Sequence, residues 1–388
     1  MPWITQDHAK RGSAAERRSL SLEATEVVVI GAGPSGLAVG ACLQKRRIDF
    51  IILEKDHQVG SSWRRHYERL HLHTIKSRSS LPFRSFDRNY PRYVPKALVI
   101  RYLEEYAASF DLKPHFGENV HVVRWQGNEW LIESTSKALR APNLVVASGL
   151  NAEPLIPHFP GAEKFRGRIL HGGAYINATP FAGQRVLVVG MGNTGAEIAL
   201  DLCDHGAQTT ISIRNGVHIV PRDLFGLPIQ VVATVATSLL PLKINDALFP
   251  IILDFALGNL SKHGIKRPHQ GILEQVVTSG KIPVLDIGTA RLIRDRRINV
   301  MPSLVEILED GAIFADGEER RFDAIIFATG YRPGYQNFLH LDDSLGASSQ
   351  GVGPPIYFVG FRNPVTGLLQ EISKEAQSVA NAIARGPT

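Results

Sequence analysis

Cysteine is nearly absent from this chain: two in 388 residues, Cys42 and Cys203. A pair so sparse and so far apart excludes a disulfide-built fold, supplies no Cys-x-x-Cys redox pair and points to a reducing, cytoplasmic location. Both lie in helix-like apolar stretches and read as buried small hydrophobes. A long hydrophobic run is also missing. The most apolar segment, 227–257, is broken by Pro241, Lys243, Asp246, Pro250 and Asp254, short of the roughly 20 clean residues that a membrane span needs. Two readings of it stay open: a cover over a substrate pocket, which is preferred, and a peripheral contact with a membrane surface. The basic N-terminal stretch holding Lys10, Arg11, Arg17 and Arg18 lacks the apolar core of a secretory signal and is read, over 1–20, as a flexible extension. No cluster of metal-ligating residues and no catalytic dyad has sensible spacing. The formal charge of +6 comes from scattered basic residues, so a nucleic-acid partner is not expected.

What is present is ordinary globular composition, 44% hydrophobic and 21% charged, at a length that exceeds one core. Residues 26–30 form a β-branched run, glycines follow at once, 37–43 carries helical periodicity, and 50–53 is a second apolar strand. That is a βαβ unit, which requires a parallel sheet. The pattern recurs at 185–189, 190–195, 196–202 and 209–213. Between the two units the sequence predicts long loops over 69–95, a helix over 96–110 and strands at 120–125, 129–134 and 143–147. The fold class is therefore α/β, with two Rossmann-like dinucleotide-binding domains. A strand at 324–327, ending in Ala328-Thr329-Gly330-Tyr331, is read as the return of the chain to the first domain, with Ala147-Ser148-Gly149 as its partner. The expected division is 21–155 plus 290–388 for the first domain and 156–289 for the inserted second. Nothing in the sequence specifies an oligomeric state.

Gly31-Ala32-Gly33-Pro34-Ser35-Gly36 follows the first strand and opens the helix. Gly31 allows the tight turn, Gly33 lets the backbone approach a pyrophosphate, and Gly36 lets helix and strand pack closely. The phosphates would then meet free N–H groups at the helix N-terminus. Glu54, beside Lys55 at the end of the next strand, can accept both hydroxyls of an unphosphorylated ribose. The second unit repeats the glycines in Gly190-Met191-Gly192-Asn193-Thr194-Gly195, but places Arg214-Asn215 where the first has Glu54-Lys55. An arginine there can bind a 2′-phosphate through its planar fork, with a solvated surface arginine as the alternative. Opposite charges at two such sites point to electron transfer between unlike cofactors, FAD on the first unit and NADPH on the second.

The stretch 165–175 (FRGRILHGGAY) fits the pattern FxGxxxHxxx(Y/F) and resembles the class B flavin-dependent monooxygenases. Tyr175 at its last position resembles the flavin-containing monooxygenase branch. The stretches 190–202 (GMGNTGAEIALDL), 214–222 (RNGVHIVPR), 264–268 (GIKRP) and 280–288 (GKIPVLDIG) are most similar to the YUCCA-type indole-3-pyruvate monooxygenases of plants and their bacterial relatives. Ile176, Ser148 and the variant Gly60-Ser61-Ser62-Trp63 depart from that pattern. The resemblance implies hydride transfer from NADPH to FAD, reaction with dioxygen to a flavin C4a-(hydro)peroxide, and oxidative decarboxylation of a small aromatic 2-oxo acid such as indole-3-pyruvate to indole-3-acetate. N- or S-oxygenation, and a non-oxygenating NADPH-dependent reductase or sensor, are the alternatives.

By the same resemblance, Trp63, His71 and Thr74 approach the flavin. Val120 and Gly149 complete the expected FAD set, Gly31, Gly33, Pro34, Ser35, Gly36, Glu54 and Lys55 forming the rest. The expected NADPH set is Gly190, Gly192, Asn193, Thr194, Gly195, Arg214, Asn215, Arg222, Thr329, Gly330 and Tyr331. His171, Tyr175 and Thr74 are the residues considered for a catalytic role. His71 and His73 alternate as on a strand, so one could face the flavin while the other is solvated, with structural roles for both as the equal alternative. Lys266 and Arg267 could meet a substrate carboxylate, but read better as a solvated basic pair.

Overall fold

The computed structural model describes residues 22–239, 241–339, 354–362, 364 and 366–386. The expected extension over 1–20 lies outside them. Two five-stranded parallel sheets organise the molecule. The first is built from β1 (Val27–Ile30), β2 (Phe50–Glu54), β3 (His115–Phe116) and β4 (Asn143–Val146), and is completed late in the chain by Ile356–Phe358. The second uses β5 (Arg168–His171), β6 (Arg185–Val189), β7 (Gln208–Ser212), β8 (Ile298–Met301) and β9 (Ala324–Phe327). With Ile356–Phe358 numbered β10, the orders are β10-β4-β1-β2-β3 and β5-β9-β6-β7-β8; four strands repeat one arrangement, and the outer strand comes last in the chain in the first sheet and first in the second. All four residues of β1 and of β9 are buried, as parallel strands covered on both faces must be.

The strand at 324–327 corrects the expected division. It pairs with β5 and β6 of the second sheet, not with any strand of the first. Strand β8 pairs with β7 in that sheet, and the antiparallel meander over 304–321, a sheet of its own, packs on it through Leu304, Ile307 and Phe314, so the second unit runs on to Arg332, where Tyr331–Arg332 pairs with Glu153–Pro154. The segment 290–332 therefore leaves the first unit. The first unit regains the chain soon after, where Phe338 and Leu339 join its core and Val123 N–H donates to Phe338 O, and then at β10 and the long helix after it. Ala147-Ser148-Gly149 and Ala328-Thr329-Gly330 are counterparts in separate sheets. Each follows the strand beside its own glycine turn: Ala147 N–H donates to Ile30 O, and Ala328 N–H donates to Val189 O, both at 2.9 Å.

Six helices matter for the site: α1 (Pro34–Arg46), α2 (Lys96–Ser109), α3 (Asn193–Asp204), α4 (Ile229–Leu239), α5 (Leu242–Leu257) and α6 (Leu368–Arg385). Pro34 sits at the first turn of α1, where its missing N–H costs nothing. Helices α1, α2 and α6 share one core built around Leu37, Val99, Leu103, Tyr106, Ile372 and Ala376. The apolar segment 227–257 folds into α4 and α5, which pack on Val220, Leu224 and Ile272. Its outer face leaves Leu239, Ile251 and Phe255 exposed. Among the described residues no helix is long and apolar enough to cross a membrane. Cys42 and Cys203 are both buried and free, and burial pushes the Cys42 thiol up to about 11, so neither offers a reactive thiolate.

Candidate active site between two nucleotide units

The two glycine turns have nearly identical geometry. Gly31 has φ 109° and Gly190 φ 105°, a region that side chains rarely adopt. A Cβ on either would stand 2.7 Å from a carbonyl oxygen, that of Ala147 or of Ala328. A Cβ on Gly36 would sit 1.8 Å from Gly31 O, and one on Gly195 2.1 Å from Gly190 O, so the third glycine locks helix to turn. The middle glycine differs in kind. A Cβ on Gly192 would meet nothing within 4 Å, and one on Gly33 only Ser62 Oγ at 4.0 Å. Both middle glycines leave the helix N-terminus open to a ligand.

A cavity of about 650 Å³ opens beside the first glycine turn. It is bordered by Gly31, Gly33, Pro34, Ser35, Glu54, Lys55, Trp63, His71, Thr74, Val120 and Gly149, which is the expected FAD set except Gly36. From there it passes Asn193 and Thr194 at the start of α3. It ends against Val220, Ile229, Ala233, Phe249, Ile272 and Val276. Helices α4 and α5 thus cover the apolar end of the cavity. Glu54 is buried; its Oε2 accepts from Ala32 N–H at 2.6 Å and its Oε1 from Asp56 N–H at 3.0 Å. Each carboxylate oxygen keeps a further lone pair for a hydroxyl. Ser148 Oγ is buried at the same wall with no hydrogen-bond partner among the described residues. The N-terminus of α6 also reaches the cavity, and Gly367 there leaves room for Thr74, whose Cγ2 a Cβ would approach to 2.7 Å.

The other expected residues lie away from this cavity. His171 and Tyr175 do not border it. His171 is buried, with Nδ1 accepting from Gly173 N–H and Nε2 facing Gly330 O, both at 3.0 Å, and burial holds its pKa below the usual range. Tyr175 is 1% exposed and donates to Asp201 Oδ2 at 2.6 Å; burial, then Asp201, raises its phenol far above the usual range. Both therefore fasten the 171–175 stretch to the second unit. The edge of Tyr331 meets the His171 ring at 4.9 Å, and Thr329 Oγ1 donates to Leu155 O. Arg222 lies over the Tyr93 ring, Cζ 4.0 Å from its centroid. Arg214 and Asn215 are exposed at the end of β7, and no ion pair engages Arg214 among the described residues. Arg267 pairs with Asp254, and neither it nor Lys266 borders the cavity.

Both histidines of the 71–73 pair border the cavity, so neither is left to solvent alone. His71 Nδ1 faces Arg69 O at 2.6 Å, and His73 Nε2 engages Glu197 Oε1 of α3. Sequence reasoning missed Glu197. Its signal was an acid flanked by Ala196 and Ile198 in a helix whose other acids lie in its second half, and the structure leaves it 2% exposed. Tyr67 faces the same carboxylate; burial, then Glu197, holds its phenol well above the usual range. His66 beside it is held low by burial, then by Lys96 and Arg65.

Two glycine turns of matching geometry on parallel sheets, the first bordering the cavity and the second reaching it through Asn193 and Thr194, define a protein of the two-dinucleotide-fold class. The family described as pyridine nucleotide-disulphide oxidoreductase matches residues 28–221. A probable indole-3-pyruvate monooxygenase of YUCCA type from Arabidopsis thaliana is 37% identical over 383 residues, covering 95% of this chain and 93% of that protein. A YUCCA-type indole-3-pyruvate monooxygenase from Oryza sativa subsp. japonica is 40% identical over 316 residues, covering 80% and 78%. Among solved structures, a flavin-containing monooxygenase from Stenotrophomonas maltophilia superposes with TM-score 0.71 at 22% identity, over 94% of this chain and 99% of that one. An oxidised steroid monooxygenase bound to NADP gives TM-score 0.77 at 17% identity, over 93% and 86%. The chain belongs to the class B flavin monooxygenases, within the family of the YUCCA-type enzymes, and is a flavin-dependent monooxygenase.

Proposed function

We propose that the first unit holds FAD, the second holds NADPH, and the chain oxidatively decarboxylates an aromatic 2-oxo acid such as indole-3-pyruvate to indole-3-acetate. The observation that carries this reading is the single cavity running from the glycine turn of the first unit, past the start of α3, to an apolar end under α4 and α5. Its volume lies within the roughly 300–1,000 Å³ of ligand sites. The residues fit FAD: open N–H groups above Gly33, a buried carboxylate at Glu54 for a ribose, and the unpartnered Ser148 Oγ. Arg214 fits a 2′-phosphate, being exposed and unpaired where the first unit has its acid. When bound, reduced flavin supplies the activation of dioxygen.

The chain's own part is binding, orientation and exclusion of water. Glu54 and the α1 N-terminus fix the nucleotide end. Trp63, His71 and Thr74 form the wall of the middle section, and the start of α3 brings the second nucleotide to that section. The apolar end under Ile229, Ala233 and Phe249 takes the aromatic group of the substrate and keeps it dry. A second reading, oxygenation of a soft nitrogen or sulfur atom, is favoured by one observation: Lys55 and Arg65 are the lining lysine and arginine, and both belong to the first unit, so neither marks the apolar end for a carboxylate.

The test is to purify the yellow protein, follow NADPH consumption with indole-3-pyruvate, amines and sulfides, and assay the products. Stoichiometric indole-3-acetate is expected. Turnover of amines or sulfides alone would move the assignment to the second reading. A flavin that NADPH reduces, but that gives no oxygenated product with any of them, would remove the proposed reaction.

A further inference from the structure

The cavity wall over 66–74 is bonded to the first unit through its backbone, Leu72 N–H donating to Val94 O and Lys96 N–H to Leu70 O, and reaches the second unit through its side chains. Helix α3 carries Glu197, Asp201 and Asp204, spaced by four and three residues and therefore on one face. Residues of the wall meet all three. His73 engages Glu197, and Tyr67 lies against the same carboxylate. Arg69 Nη1 donates to Asp204 Oδ2 at 2.7 Å and stands 3.6 Å from Asp201 Oδ1. Tyr67 and His73 also border the cavity, so the groups that grip α3 come from the wall itself.

A carboxylate as buried as Glu197 is costly unless partnered, and α3 has no need of it for its own packing, since Ala196, Ile198, Ala199 and Leu202 around it are buried in the apolar core. Its His73 and Tyr67 contacts both lie on the wall. We propose that Glu197 is a positioning residue that fixes the 67–73 wall in register with α3, so that wall and helix move as one body. The inference rests on the placement of FAD and NADPH above. Asn193, which borders the cavity at the start of α3, is one turn before Glu197. A clamp one turn into the helix therefore sets how the second nucleotide meets the wall, and hydride transfer depends steeply on that distance.

The test compares Glu197→Leu with the double variant Tyr67→Phe/His73→Leu, which leaves α3 untouched. Amide hydrogen exchange is read first, in protein without nucleotides. The N–H groups of Leu70 and Leu72, bonded to Tyr67 O and Val94 O, should exchange about tenfold faster or more, the scale of one orphaned buried hydrogen-bonding group, with β6 unchanged. In the loaded enzyme, Glu197→Leu should slow anaerobic flavin reduction by NADPH about tenfold or more while leaving NADP+ affinity within about threefold, and Glu197→Gln, which retains an acceptor for Tyr67, should recover part of the rate. Unchanged exchange at the wall in both variants overturns the clamp, as does loosening of β6 and α3 to the same extent, or parallel loss of NADP+ affinity and rate. If Glu197→Leu does not fold, the double variant decides by exchange. Wild-type flavin that NADPH cannot reduce would sink the cofactor placement instead, and the exchange result would still decide the clamp.

Discussion

The two units share the order of four strands, a glycine turn and a strand-end loop, and they part company at single residues. At the end of the second strand the first unit has Glu54, buried and drawn onto backbone N–H groups, while the second has Arg214, exposed and unpaired. In the strand-end loop the first has Ser148, whose buried hydroxyl lacks a partner, while the second has Thr329, which donates to Leu155 O. Repeating a fold fixes where a nucleotide can lie. On the proposed placement of FAD and NADPH, the side chains at two or three positions decide which nucleotide each unit takes.

The comparison breaks most severely at the glycines. Gly36→Ala and Gly195→Ala each drive a Cβ into a backbone oxygen and should destabilise the protein by about 3 kcal/mol or more, read as a fall in denaturation midpoint. Gly33→Ala and Gly192→Ala meet open space, so they should leave that midpoint nearly unchanged in the nucleotide-free protein while weakening retention of FAD and affinity for NADPH, respectively. Equal destabilisation by all four would erase the distinction between locking and cradling glycines. Next in size is the charge reversal. Arg214→Ser should raise the KM for NADPH about 30-fold, the factor for ~2 kcal/mol of charge-assisted bonding, with NADH little affected. A similar rise for both cofactors would assign Arg214 to the fold or to the shared part of the nucleotide.

Acid should separate the units next. His171 and His218, both in the second unit, are held below the usual value of 6.5, chiefly by burial, so they bind protons less readily folded than unfolded. The stability tied to their neutral form is present above 6.5 and is lost as pH falls from there through their folded values. His66 in the wall is lowered in the same sense. Hydrogen exchange between pH 7 and 5 should therefore loosen β5 and the 172–175 stretch after it before β1 and β2. The opposite order would mean that other groups govern acid sensitivity.

Much of this was legible because the signals are local. Strand, glycine turn and helix succeed one another within thirty residues, and Glu54 and Arg214 follow at the next strand end. The misassigned strand had no such signal. Ala324–Phe327 is a fully buried apolar run, which fits any parallel sheet equally, and only its pairing to β5 and β6 decides. His171 and Tyr175 stood in a motif specific enough to mark the family, but a motif does not say whether its residues face a ligand or each other's backbone. Glu197 escaped because its partners, Tyr67 and His73, lie more than a hundred residues away in sequence.

The smallest effect sharpens the comparison furthest, because it sets one hydroxyl against another. Thr329→Val removes a donor that already has a protein acceptor, leaving Leu155 O short of a bond, and should cost about 1 kcal/mol whether or not any nucleotide is present. Ser148→Ala removes a hydroxyl that has no partner in the protein, so nucleotide-free stability should stay the same or rise slightly. If the Ser148 hydroxyl is kept for FAD, its loss appears only in the loaded protein, as a weakening of FAD retention of about fivefold, the worth of one hydrogen bond. Calorimetry of both variants with and without FAD measures this directly. A Ser148→Ala protein that binds FAD as tightly as the parent would leave its hydroxyl without a role, and would make Glu54 and the open turn above Gly33 the whole of the polar recognition at that wall.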